Sequence, residues 1–143
     1  MNIIFYKATF GTLNDKIISL LTGGQFSHVE LQFSDKNCFS ASTREGYTRF
    51  KEIDLQQNWQ IVPLPCDEAK ETIIRNWCET QIGIPCDWWG IIGINLPILQ
   101  NRNKWFCSEL CCQALKLGEI IPNNVTNKIS PNDLYRAVMI ELT

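Results

Sequence analysis

The spacing of apolar and polar positions changes several times along the chain, and each change marks an element. Asn2 to Ala8 is a short run rich in Ile, Phe and Tyr, which predicts a first strand. Thr12 with Asp15 three residues on is a helix-start signal. Leu13, Ile17, Leu20 and Leu21 then recur at helical spacing as an amphipathic stripe, and Gly23-Gly24 ends it. From Ser27 to Phe33 the period drops to two. Val29, Leu31 and Phe33 fall on one face and His28, Glu30 and Gln32 on the other, as in a half-buried strand. Ser34-Asp35-Lys36 forms a tight turn, and a three-residue loop returns Cys38, Ser40 and Ser42 on the side of His28 and Glu30. Phe39 and Ala41 join the apolar side. A slip of one residue would bury the serines, so the pattern selects this register.

Gly46 to Ile53 and Trp59 to Leu64 read as two further strands. Asp67 caps a helix that carries Ala69, Ile73, Ile74 and Trp77 inward, with Glu71 and Arg75 paired outside, and Gly83 and Pro85 end it. Trp88 to Ile94 is apolar enough to be a short buried helix or the wall of a groove, and Leu96 to Lys104 is a polar loop. Phe106, Leu110, Ala114 and Leu117 mark another helix, closed by Gly118. Ser130-Pro131-Asn132-Asp133 opens a last one, with proline at the favoured first position. Without a repeat, a linker or a low-complexity tract, the pattern predicts one α+β domain over residues 1–143.

Composition narrows the function classes. The chain is 45% hydrophobic and 20% charged, which is ordinary globular usage. A net charge of −2 and the lack of a basic run give no reason to expect nucleic acid. The longest apolar run, Trp88 to Leu96, is about half of the ~20 residues that cross a bilayer, so no transmembrane segment is expected. No secretory leader is visible at Met1 to Lys7, and the seven cysteines are an odd number. Reduced thiols and a cytoplasmic location are therefore the expectation. The sequence leaves the oligomeric state open.

The candidate chemistry centres on Cys107 and the chain's one histidine, His28. A thiol needs a base to become a nucleophile near neutral pH, and imidazole has the matching pKa. Cys107 stands where a helix begins, where the dipole and free amides favour a thiolate and can donate to a developing oxyanion. Glu30, two residues from His28 on the same strand face, is placed to orient the imidazole and stabilise its cation. Cys107, Cys111 and Cys112 lack the paired spacing of a zinc site, so neither a metal nor another cofactor is expected.

Two motifs carry a resemblance: Phe26-Ser27-His28-Val29-Glu30-Leu31 early and Trp105-Phe106-Cys107-Ser108-Glu109-Leu110 late. The order of histidine strand before cysteine helix resembles the circularly permuted papain-like members of the NlpC/P60 superfamily, particularly the YaeF/YiiX-type amidases. The similarity runs from about Asn2 to Tyr135. Gly83-Ile84-Pro85-Cys86-Asp87-Trp88-Trp89-Gly90 resembles the family's Gly-x-Pro-Tyr-Asp stretch, with Cys86 at the tyrosine, and Ser130-Pro131-Asn132-Asp133-Leu134 its closing segment. The resemblance implies a papain-like antiparallel sheet packed against helices, with Cys107 as nucleophile and His28 as base. It implies hydrolysis of amides in a peptide, such as a bacterial cell-wall stem, or transfer at an acyl substrate, and it suggests a bacterial or phage origin. The family often carries a glutamate on the strand after the histidine. Ser40 stands there in this chain, so Glu30 takes the orienting role. Tyr6, Ser40 and Ser42 are the candidates for the second oxyanion donor or for substrate contact. A lipid acyltransferase with the same nucleophile, or a non-catalytic binding module that keeps the fold, are the alternatives.

Overall fold

Strand β1 (Asn2–Lys7) is buried on both faces along its middle four residues, as a central strand must be. In the computed structural model, which describes residues 1–87 and 104–143, it pairs antiparallel with β2 (Phe26–Gln32) on one side and β5 (Trp59–Pro63) on the other. β3 (Asn37–Ala41) and β4 (Thr48–Glu52) extend the sheet beyond β2, giving the order β4-β3-β2-β1-β5. The turn at Ser34-Asp35-Lys36 sets Leu31 against Phe39 and Gln32 against Cys38, the register expected from the alternation. Lys36 takes a left-handed φ of 70° in that turn.

Four helices flank the sheet in the described residues: α1 (Leu13–Thr22), α2 (Glu68–Thr80), α3 (Cys107–Leu117) and α4 (Pro131–Glu141). α3 and α4 pack on β2, α3 also on β3, and α2 packs on α3. Their common core gathers Ile3, Phe5, Val29, Leu31, Phe39, Leu110, Leu115 and Leu134. Phe5, Phe26 and Tyr135 form a ring cluster with centroids 4.9 to 5.3 Å apart, which locks α4 to the start of β2. Asn132 completes that lock. Its amide oxygen accepts from the Phe26 N–H, and its amide nitrogen donates to the Phe26 carbonyl, both at 2.9 Å. A Cβ at Gly24 would lie 2.2 Å from this side chain, so the approach requires glycine.

The helix faces add one finding, for α1, and one correction, for α2. The stripe of α1 forms but points outward: Leu13, Ile17, Leu20 and Leu21 are exposed, and only Asp15 and Ile18 are buried. In α2 the inward face is centred on Ile74 and Cys78, whereas Ala69 and Ile73 are exposed and Trp77 is half-buried. The expected Glu71–Arg75 pair is replaced by longer-range partners. Glu71 accepts from Ser34, and Arg75 donates to Asp35 at 2.7 Å. Both connect α2 to the β2–β3 turn, which a local helix pair could not do. At the end of α3, Leu117 is likewise exposed, while Cys111 and Leu115 join the buried stripe. The expected apolar segment Trp88 to Ile94, and the loop from Leu96 up to residue 103, lie outside the described residues.

Candidate active site

His28 sits in the middle of β2, opposite Tyr6 of β1, on the face away from Val29 and Leu31. Its Nε2 bonds Glu30 Oε1 at 2.9 Å. That leaves Nδ1 as the nitrogen available to a thiol. The alternation of β2 therefore does bring His28 and Glu30 together. Glu30 is itself held from the other side by a residue that pattern reading passed over. Arg49 of β4 donates from Nη1 to Oε2 at 2.9 Å and from Nη2 to Oε1 at 2.8 Å. Its signal was present in the register, since Arg49 pairs with Ser40, and Ser40 belongs to the face of Glu30.

The electrostatics of this group follow from its burial. Burial alone would raise the Glu30 carboxyl, but hydrogen bonds from His28 and Arg49 more than offset it and hold it below the usual carboxylate range. Glu30 is thus an anion clamped between a guanidinium and the imidazole. A clamped carboxylate of this kind fixes the orientation of the ring. The Trp59 ring lies 6.3 Å from the imidazole and 5.1 Å from Tyr6, closing that side.

A cavity of about 290 Å³ opens on this face, lined among others by Tyr6, Asp15, His28, Glu30, Ser42 and Trp59. The Tyr6 hydroxyl donates to the Phe10 carbonyl at 2.9 Å. Ser42 Oγ accepts from the N–H groups of Arg44 and Glu45 at 3.3 and 3.4 Å, shaping the loop at the rim. Asp15, from α1, accepts from the Thr12 N–H at 2.7 Å and the Ser27 hydroxyl at 2.9 Å, so the residue before His28 is anchored to the start of α1. Burial pushes the Asp15 carboxyl up, and these bonds together with Arg44 bring it below its ordinary value.

Cys107 approaches from the helix side of the sheet. A parallel bridge between Cys86 and Trp105, with the Asp87 N–H on the Trp105 carbonyl at 2.7 Å, fixes the chain just ahead of α3. Cys107 is the first residue of that helix, and the Glu109 carboxylate accepts from the Phe106 N–H at 3.4 Å. The sulfur lies against the N–H groups of Val29 and Ser108. The β2–β3 ladder stops at Leu31, and the Val29 carbonyl is taken by the Ser40 hydroxyl at 2.7 Å and approached by the Cys111 thiol at 3.9 Å. Ser40 is therefore a fastener of this seam rather than part of the cavity wall.

The structure thus places the Cys107 sulfur beside the peptide that follows His28. The two side chains do not bond to each other here, and Cys107 is buried at 1% exposure. Burial drives its thiol well above the ordinary value, and nearby Cys86 adds to this. The Val29 and Ser108 N–H groups pull the other way without offsetting it. The resting sulfur is accordingly a neutral thiol. All seven cysteines are free, and no group of three or more His, Cys, Asp or Glu among the described residues could hold a metal ion. No described helix is long and apolar enough to cross a membrane. No family model matches the chain, and no curated protein matches it.

Proposed function

We propose that the protein is a thiol-dependent amide hydrolase of the permuted papain-like type, with Cys107 as nucleophile, His28 as base and Glu30 as the orienting carboxylate. One observation carries the reading. The only imidazole of the chain is fixed through Nε2 by a buried, ionised glutamate, and the neighbouring Val29 N–H contacts a sulfur at a helix start. In the reaction, Nδ1 takes the Sγ proton as sulfur attacks the acyl carbon. The C–N bond then breaks, the imidazolium proton leaves with the amine, and a thioester remains on Cys107. Water, deprotonated by His28, attacks the thioester, and the carboxylic product departs as the sulfur is reprotonated. Arg49 is a positioning residue, since it touches Glu30 and not the reacting atoms. The first-turn amides of α3 are the donors nearest to a developing oxyanion.

A binding module that retains the fold without catalysis is the second reading, favoured by the buried Cys107 with its raised pKa. Hydrolysis of amide and ester probes by wild type and by Cys107→Ala separates the two. The enzyme reading expects turnover that the variant abolishes. Equal turnover by both proteins, or none by either, excludes it.

A further inference from the structure

We propose that Arg44, at the mouth of the His28 cavity, binds a free carboxylate on the substrate. The residue stands in the β3–β4 loop and lines the same cavity as His28. Its guanidinium lies 5.3 Å over the Tyr6 ring, and Tyr6 is the cross-strand partner of His28. Tyr6 therefore adjoins both the guanidinium and the imidazole. Trp59, the partner of Tyr6 on its other side, closes the adjoining wall. The Arg44 side chain is 64% exposed, so a ligand entering the cavity meets it first.

The charge pattern points to a carboxylate. Among the described residues at this end of the cavity, Asp15, Glu30 and Glu45 stand against Arg44, Arg49 and Lys51. Arg49 is committed to Glu30 through hydrogen bonds of 2.9 and 2.8 Å, and Lys51 to Glu45 at 2.8 Å. Arg44 differs from both. Its contact with Asp15, Nη2 to Oδ2, is 3.6 Å, beyond hydrogen-bond length. Asp15 is already engaged by the Thr12 N–H and hydroxyl and by the Ser27 hydroxyl, at 2.7 to 2.9 Å. The ion pair thus orients the Arg44 fork without using up its donors. Two further carboxylates of the lining, Glu52 and Asp54, also belong to a second pocket beside Gln32 and Lys36. Gln32 is four residues along β2 from His28, about 13 Å away.

A guanidinium offers two parallel N–H groups in a plane that matches a carboxylate. One available cation suits a monoanion, whereas a phosphate monoester carries close to two charges. The loop holds the fork in place beforehand. Ser42 accepts at Oγ from the Arg44 and Glu45 N–H groups, and its carbonyl accepts from the Gly46 N–H at 2.8 Å. A side chain fixed before its ligand arrives loses less freedom on binding. Under the hydrolase reading, the substrate is an amide with a free carboxylate close to the scissile bond, as in an N-acyl amino acid. That assignment rests on Cys107 being the nucleophile. The carboxylate subsite does not, and it is read by binding alone.

The test is calorimetric titration of the full chain carrying Cys107→Ala with acetyl-phenylalanyl-alanine and with its C-terminal primary amide. The two compounds differ only in the charge of one terminal group. The titrations are repeated with Arg44→Gln or Arg44→Lys added, after circular dichroism has shown the fold intact. We expect the acid to bind at least tenfold more tightly than the amide, with the difference shrinking at high salt. Arg44→Gln should bring that ratio to about one. Arg44→Lys, which keeps the charge but not the fork, should leave an intermediate ratio. No binding of the acid, equal affinity for acid and amide, or an unchanged ratio in Arg44→Gln would overturn the proposal. Turnover of the same pair by the chain with Cys107 intact reads the hydrolase separately. An acid that binds through Arg44 while neither compound is cleaved would keep the subsite and count against the hydrolase.

Discussion

Arg49 meets Glu30 as a two-point ion pair, at 2.9 and 2.8 Å, with the carboxylate side chain 2% exposed and the guanidinium 11%. Removing Arg49 leaves the buried carboxylate with only its His28 hydrogen bond, and breaking a buried pair in this way costs about 3–5 kcal/mol. Arg49→Ala should lower unfolding stability by that amount in urea titrations. Arg49→Lys should lose less, since an ammonium keeps the charge but not the fork. A loss below about 1 kcal/mol in Arg49→Ala would place the pair among ordinary surface contacts.

Acid stability follows from the same group. Glu30 and Asp15 both have folded pKa values below those of the unfolded chain. Each contributes stability that is present above about pH 4 and disappears as the pH falls through the depressed folded values. Glu45, held at about 2 by Lys51, Ser42 and Arg49 against the upward push of burial, acts in the same sense. Thermal unfolding between pH 2 and 6 should show this loss, and Glu30→Gln should flatten it. An unchanged slope in the variant would remove Glu30 from the account.

The opposite limb is set by sulfur. Burial raises every cysteine of the chain above its ordinary pKa, Cys38 and Cys86 to about 12. Five of the thiols, Cys38, Cys78, Cys107, Cys111 and Cys112, are essentially inaccessible. Unfolded thiols release protons near pH 8.5 while the folded ones keep theirs, so stability declines as pH rises past that point. Summed over the four that burial raises most, Cys38, Cys78, Cys107 and Cys111, the loss between pH 8.5 and 9.5 is on the order of 4 kcal/mol. Unfolding free energy measured under reducing conditions across that interval checks it, and a flat profile would contradict it.

Asn132 ties the start of β2 to α4 through both atoms of the Phe26 backbone. Asn132→Ala leaves a buried N–H and C=O unpaired, and should cost about 2–3 kcal/mol. Gly24→Ala should be destabilising as well, because its Cβ would lie 2.2 Å from the same side chain. Since His28 lies two residues beyond Phe26, both variants should also reduce any hydrolytic activity. Wild-type stability in both would show the lock to be dispensable.

His28→Gln keeps a similar volume but removes the base. It should reduce kcat/KM by about 10²-fold or more while leaving the fold intact. Circular dichroism and the rate on an amide probe read the two effects separately, and an undiminished rate would take His28 out of the mechanism.

What was legible in the chain was chiefly local period. The alternation from Ser27 to Phe33 and the short turn after it sufficed for the β2–β3 register and for the Glu30–His28 contact. Arg49 was not legible in the same way. Its relation to Glu30 passes through β3, so it needs two registers at once. The direction of the α1 stripe was not legible and the inward face of α2 differs from the expected one, because periodicity says which residues share a side, not which side the sheet covers. In α1 the polar Asp15 is drawn inward by Thr12 and Ser27, and that turns the leucines out. In α2 the Ser34–Glu71 and Asp35–Arg75 contacts act between elements, beyond the reach of any rule on i,i+4 spacing.

The most direct test of the account is intact-protein mass spectrometry after brief incubation with a slowly hydrolysed active ester. A single acyl group should add to the wild-type chain and map to Cys107. The adduct should be absent in Cys107→Ala and form far more slowly in His28→Gln. An adduct spread over other cysteines, or one that forms at Cys107 at the same rate without His28, would contradict the thiol–imidazole mechanism.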